Sequence, residues 1–250
     1  MTDLSNFFKS AFTVDNVIFG FDEADLKVLL IKRGEEPYRG DWALPGYFVR
    51  PDEDLLSAAQ RVLGELTGLK NVYLEQVQTF GAVDRHPKGR VITVAYYSLI
   101  KISDYDVNAS SFARKAKWHS ISKLKDLAFD HAEILNECFQ LLKKRVRSRP
   151  VGFELLPPKF TLTELQHLYE TILETDLDKR NFRKKILSMN LLVDVDEVQE
   201  GVAHRPARLY KFDQAKYHTF LAEGYIFDLS ESKKKGMKQR AGDLGMKNEE

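Results

Sequence analysis

The chain has a single cysteine in 250 residues, Cys138. That excludes an intramolecular disulfide framework and a cysteine-rich zinc site, and it fits a reducing compartment. Charge of one sign is lacking as well. Thirty-eight Lys and Arg against 37 Asp and Glu leave a formal net charge of +1, so any nucleic-acid affinity has to come from a local cluster of cations. No apolar run is long enough to span a bilayer, and the stretch MTDLSNFFKSAF has neither the basic start nor the apolar core of a secretory signal. The expectation is an intracellular, cytoplasmic protein with no membrane association. What is present, 43% hydrophobic and 30% charged residues, is the composition of an ordinary globular protein, and the length favours two domains. Cys138 lies in an apolar helical run and is expected to be a buried thiol rather than a nucleophile.

Apolar patterning predicts a strand over 12–21 (FTVDNVIFGF) and a partner over 26–32 (LKVLLIK), joined as a hairpin. Residues 33–54 form a Gly- and Pro-punctuated segment too long for a plain connector and are read as a pocket-shaping loop. Leu55, Ala58, Ala59, Val62, Leu63 and Leu66 repeat at helical spacing, and Thr67-Gly68 stops the helix. Two further strands follow from Tyr73 and Arg90 around the turn DRHPKG, then another in ARKAKWHSI and a long amphipathic helix ending at Pro150. Beyond Pro150 the pattern changes to helix, tight turn, helix and two short strands. The division predicted is an α/β domain over 1–150, a winged helix-turn-helix domain over 151–228, and a disordered, apolar-poor tail over 229–250.

The segment LPGYFVRPDEDLLSAAQRVLGELTGL from Leu44 resembles a Nudix box. In that alignment Tyr47 stands at the first glycine. Glu53, Arg61, Glu65 and Gly68-Leu69 keep their places, and Val62 and Leu66 stand where the family has glutamates. The resemblance implies a Nudix-type α/β/α sandwich with a mixed sheet. Val62, Glu65 and Leu66 are spaced i, i+3, i+4 on one helix face, which is a carboxylate cluster in active members of the family. A magnesium ion needs protein carboxylates as well as substrate phosphates, and one glutamate of three is a poor ligand set. No metal, cofactor or catalytic residue is therefore expected, and Glu53 and Arg61 are read as a structural pair tying loop to helix. Around Tyr47 the aromatic and cationic set Arg33, Tyr38, Trp42, Phe48 and Arg50, with Glu65 and Arg85, is the candidate effector-binding group. Asp84, His86 and Arg90 of the DRHPKGR turn are further candidates for ligand or dimer contacts.

The cation cluster that the net charge conceals lies in LDKRNFRKKILSM. On a helical wheel Phe182, Ile186 and Met189 form the buried face, and Lys179, Arg180, Asn181, Arg183, Lys184 and Lys185 face outward or flank it. Arg and Asn can read base edges in the major groove, and Lys positions the helix on phosphate. The alternative is a solvated basic face. Arg205, Arg208 and Lys211 on the returning wing strand are candidate phosphate contacts, whereas Asp194, Asp196, Glu197 and Glu200 on the first half of the wing should avoid DNA.

Blocks such as FGAVDRHPKGRVITVAYYSLI, LAFDHAEIL, FELLPPKFTLTELQHLYETIL and RPARLYKF resemble, in order, those of the Nudix-related transcriptional regulators. The resemblance implies a homodimeric repressor on a palindromic double-stranded operator, released by a small molecule at the Nudix-like domain. The family divides between sensors of ADP-ribose-related NAD metabolites and sensors of pentoses. RVLGELTGL and FGFDEADLKVLLIKR are more similar to the arabinose- and xylose-responsive group, so a pentose is the first expectation and ADP-ribose the second. The competing reading is a Nudix hydrolase with an accessory DNA-binding domain.

Overall fold

The computed structural model describes residues 10–22, 25–109, 111–203, 205–227 and 229. Apart from Leu229, the predicted tail lies outside the described residues. Strands β1 (Ala11–Phe21) and β2 (Leu26–Arg33) pair antiparallel, and β1 also runs parallel to β6 (Val91–Lys101) in continuous register from Ala11↔Val91 to Phe21↔Lys101. β5 (Glu75–Phe80) flanks β6, and β7 (Ala113–Ser120) flanks β2. The loop predicted over 33–54 in fact contributes two short strands. β3 (Trp42–Ala43) pairs with β2 and β4 (Gly46–Phe48) with β1, which turns a connector into part of the sheet wall.

Both faces of this mixed sheet are buried, which is why β1 and β2 read as nearly continuous apolar runs. Period-two alternation sends Val14, Ile18, Leu29 and Ile31 to one face and Val17, Phe19, Val28 and Leu30 to the other. The first face is covered by α1 (Leu55–Thr67), whose Ala58, Ala59, Val62, Leu63 and Leu66 are buried against it. Asp54 caps this helix by accepting from the Ser57 N–H at 2.7 Å, and Gly68 ends it at φ 79°. The second face is covered by α2 (His131–Ser148) through Ile134, Leu135, Cys138, Phe139 and Leu142. Cys138 is fully buried, and burial pushes its thiol up to about 12, so it stays a protonated packing group.

After a 3₁₀ turn over Val151–Leu155 come α3 (Leu162–Leu173) and α4 (Lys179–Ser188), then the antiparallel ribbon β8 (Leu192–Val198) and β9 (Arg208–Phe212). Thr161 and Glu164 form a reciprocal capping box on α3. The turn between the two helices is braced by the Glu170 carboxylate, which accepts from Leu177 N–H at 3.0 Å and Gln166 Nε2 at 2.8 Å. A helix α5 (Gln214–Ala222), absent from the sequence reading, follows the ribbon. Its apolar residues do not gather on one face, although Asp213 accepting from the Lys216 N–H is an ordinary capping signal. The hydrophobic cluster beneath α2 continues without a break into Phe160, Leu165, Leu168, Phe182 and Ile186. Lys143 of α2 pairs with Glu174 at the end of α3. Among the described residues no helix is long and apolar enough to cross a membrane.

Candidate functional site

A cavity of about 270 Å³ opens where β1, β4 and the start of α2 meet. Its walls include Tyr47, Phe48 and Phe129, the cationic groups Arg33, Arg85 and Lys88, and the polar floor of Asp15 and His131. The floor is built by the alternation of β1. Asp15 points to the same face as Val17 and Phe19, so a carboxylate is carried into a buried position, 4% exposed, and must be partnered there. Asp15 accepts from Thr93 Oγ1 at 2.7 Å and faces His131 Nε2 at 3.4 Å and Arg85 at 3.8 Å. His131 Nδ1 accepts the Leu44 N–H at 2.9 Å, which leaves the imidazole proton on Nε2, directed to Asp15. Arg85, its side chain 4% exposed, grips Asp130 with two hydrogen bonds of 2.8 and 2.7 Å.

Phe129 is the hub of the aromatic wall. His86 stacks on it, His131 and Tyr38 meet it tilted and edge-on, and the Arg33 guanidinium lies 4.8 Å from its centroid. Arg33 Nε also donates to Pro37 O at 2.8 Å. Burial, with Arg85, Arg33 and Lys88 nearby, lowers the pKa of His86, so it stacks as a neutral ring.

Gly46 is required by close approach, because a Cβ there would overlap the Asp15 carboxylate and crowd Val14 O. Gly46→Ala is expected to destabilise the fold by about 1–3 kcal/mol through forced displacement of Asp15. An unchanged urea midpoint would show that this contact relaxes freely.

His131 predicts an acid sensitivity. Burial lowers its pKa below the ordinary 6.5, with Asp15 and Asp130 opposing the shift and Arg85 and Arg33 adding to it. Below 6.5 the unfolded chain takes up a proton that the folded chain refuses, so stability is lost as pH falls through that value. His86 and His119 shift in the same direction. The denaturation midpoint should therefore be lower at pH 5.5 than at 7.5, and His131→Gln should flatten part of that slope. An equal slope in the variant removes His131 as its source.

The sequence-derived effector group is partly regrouped. Arg33, Tyr47, Phe48 and Arg85 line the cavity, and Tyr38 packs on the Phe129 wall without lining it. Trp42, Arg50 and Glu65 do not line the cavity. Trp42 packs edge-on against His119 and joins the α2-side core. Arg50 and Glu65 belong to a network on α1, where Arg61 binds Glu53 at 2.8 and 2.5 Å and Glu65 at 3.0 Å, and Arg50 reaches Glu65 at 3.2 Å. Arg61 also donates to Phe48 O, tying the loop to the helix, and holds the Glu53 carboxyl down at about 2. Val62 and Leu66 lie in the core under the sheet.

Sequence reasoning missed Asp15, Phe129, Asp130 and His131. Asp15 had a signal, an acidic residue next to Asn16 inside a largely apolar strand, which demands a buried partner. The Phe129-Asp130-His131 run carried none, because only tertiary packing brings it to β1.

On α4 the side chains of Lys179, Arg180, Asn181 and Lys184 are exposed, while Phe182 and Ile186 are buried. Arg183 is half-buried, donating to Thr163 Oγ1 at 2.9 Å, and acts as a brace between α3 and α4; Lys185 is also half-buried. Arg205 and Lys211 are exposed, but Arg208 pairs across the ribbon with Asp194 at 2.8 Å, which neutralises part of the wing's acidic half. Lys159 similarly pairs with Glu197.

A sandwich of this topology, followed by a helix-turn-helix and a two-stranded ribbon, defines a Nudix domain joined to a winged helix. Residues 9–138 match the NUDIX domain and residues 152–212 the NrtR DNA-binding winged helix domain. The chain belongs to the NrtR family of Nudix-related transcriptional regulators. It is 39% identical over 209 residues to the ADPR responsive transcriptional repressor NtrR of Acinetobacter baylyi, covering 82% of this chain and 83% of that protein. The crystal structure of Shewanella oneidensis NrtR complexed with a 27mer DNA superposes with a TM-score of 0.68 at 30% identity, over 86% of this chain and 97% of that one. The NUDIX domain of the same protein complexed with ADP ribose matches at TM-score 0.51 and 30% identity, over 57% of this chain and 99% of that one.

Proposed function

We propose that this chain is a cytoplasmic transcriptional repressor, a homodimer whose sensing domain (1–150) releases operator DNA from its winged domain (151–228) when ADP-ribose or a related NAD metabolite binds. The observation that carries the reading is the position of the cavity. It sits at the first residues of α2, and the core beneath α2 continues into the helix-turn-helix. Arg33, Arg85 and Lys88 line the cavity beside the carboxylates of Asp15, Glu35 and Glu36, and together with three aromatic rings for a base or sugar face this mixed lining suits a nucleotide-like effector better than a bare pentose. The named relatives respond to or hold ADP-ribose, so the order of effectors expected from the sequence is reversed.

The box residues do not fit the magnesium ion of active Nudix enzymes. Val62 and Leu66 are buried and apolar, and Glu65 is engaged by Arg61 and Arg50. We therefore assign no hydrolytic step. The cavity recognises, and α4 with Arg180, Lys184, Lys179 and Asn181 reads DNA.

The test is operator release measured by fluorescence anisotropy on the chain's own upstream DNA, with ADP-ribose, arabinose and xylose added separately. ADP-ribose should release the DNA and neither pentose should. Release by a pentose alone, or by none, rejects the effector assignment. Magnesium-dependent turnover of ADP-ribose that vanishes in Glu65→Gln would reject the non-enzymatic reading.

A further inference from the structure

Asp130 occupies the N-cap position of α2, yet its carboxylate makes no hydrogen bond to the helix. In the other α-helices of the described residues the residue at that position, Asp54, Thr161, Asp178 or Asp213, accepts from a first-turn N–H. The Asp130 carboxylate is instead taken by Arg85. Its backbone, at φ −89° and ψ 19°, differs from the extended Asp54, Thr161 and Asp178 and from Asp213, which caps α5 at φ −91° and ψ 86°. Phe129, just before it, is held at φ 57°, a left-handed conformation unfavourable for a bulky side chain. In this structure both Asp130 oxygens are aimed at Arg85 and neither at the first turn of α2, so holding Arg85 and capping α2 call for different orientations of one side chain. Which use prevails depends on whether Arg85 has another anion, and Arg85 lines the cavity.

We propose that Asp130 is the switch residue that converts cavity occupancy into movement of α2. This rests on the effector reading above. With the cavity empty, Asp130 holds Arg85 and α2 starts uncapped. An anionic group of the effector engages Arg85, and the freed carboxylate turns to the first-turn N–H groups of α2. The backbone at Phe129 and Asp130 then moves toward the conformations of the capping residues, releasing the left-handed strain. The first turn of α2 shifts against β1, where His131 had met Asp15. At its other end α2 holds the winged domain through Lys143 to Glu174 and through the shared core, so the shift reaches α3 and α4. The effector drives the change because it binds the Arg85-released state and not the Arg85-paired one.

Two substitutions separate the two uses of the carboxylate. Asp130→Ser caps well but cannot pair with Arg85, and Asp130→Glu keeps the charge for Arg85 but is not among the residues that cap well. Operator affinity, ADP-ribose affinity by calorimetry and melting temperature are measured on the full chain. Asp130→Ser should bind operator at least tenfold more weakly without any ligand and respond little to ADP-ribose. Asp130→Glu should bind operator like wild type, bind ADP-ribose, and need at least tenfold more of it for half-release. A merely structural role would weaken both variants in the same direction, together with their melting temperatures. Operator affinities within twofold of wild type and an unchanged half-release concentration in both variants overturn the proposal. If Asp130→Ser does not fold, Asp130→Glu decides alone, since wild-type release in it is equally fatal. If ADP-ribose fails to release wild-type protein, the effector reading is what fails. The switch is then judged by the ligand-free weakening in Asp130→Ser, and it falls if that weakening is absent.

Discussion

Replacing Arg180 and Lys184 together by Ala is expected to lower operator affinity by about 100-fold, on the order of 3 kcal/mol, while leaving the melting temperature unchanged. Both side chains project from α4 opposite Phe182 and Ile186, so their removal takes nothing from the core. If each meets phosphate, the slope of log affinity against log salt should fall by about 2. If Arg180 instead reads a base, that slope falls by about 1 and discrimination between operator variants relaxes. Arg183→Ala is the contrasting control. Its guanidinium braces α3 through Thr163, so stability should fall along with affinity. Affinity and salt slope unchanged in the double variant would leave α4 a solvated basic face, and the DNA-reading assignment would have to move elsewhere.

Arg85→Ala is expected to have the largest effect in the sensing domain. The side chain is buried between two carboxylates, and removing one partner of a buried ion pair leaves uncompensated charge, a loss of about 3–5 kcal/mol. Asp15 keeps Thr93 and His131, and the freed Asp130 carboxylate turns to cap α2, which offsets part of the loss. Urea denaturation measures it. Where the variant stays folded, ADP-ribose affinity should drop by about 30-fold, on the order of 2 kcal/mol, because a cation facing the cavity is gone. Arg85→Lys should recover part of the stability and little of the affinity, since an ammonium cannot reproduce the two-pronged grip on Asp130. A stable Arg85→Ala with wild-type affinity would show that the cavity's cationic pole lies with Arg33 and Lys88.

Much of this could be read before any fold was known, for reasons that differ by element. α1 was legible from Leu55 to Leu66, one residue short of its end at Thr67, because its apolar spacing and Gly68 agree on one helix. The buried face of α4 was legible because Phe182 and Ile186 sit one turn apart among cations. β3 and β4 were not, because two- and three-residue strands carry no periodicity and exist only through pairing with β2 and β1. α5 was passed over because its apolar residues form no stripe. Trp42, Arg50 and Glu65 were grouped with the pocket by closeness in sequence, and a strand pairing and an ion network carried them elsewhere.

By itself the sequence determined local matters: which stretches alternate, which repeat at helical spacing, and where the cations cluster. These are settled by side-chain volume, charge and spacing along one element. Only the tertiary structure decided that Asp15 of β1, Arg85 of a turn and Asp130 and His131 of α2 share one buried site, up to 116 positions apart in the chain. A buried charge takes whichever partner the packed fold brings to it, and that partner leaves no periodic trace in the sequence.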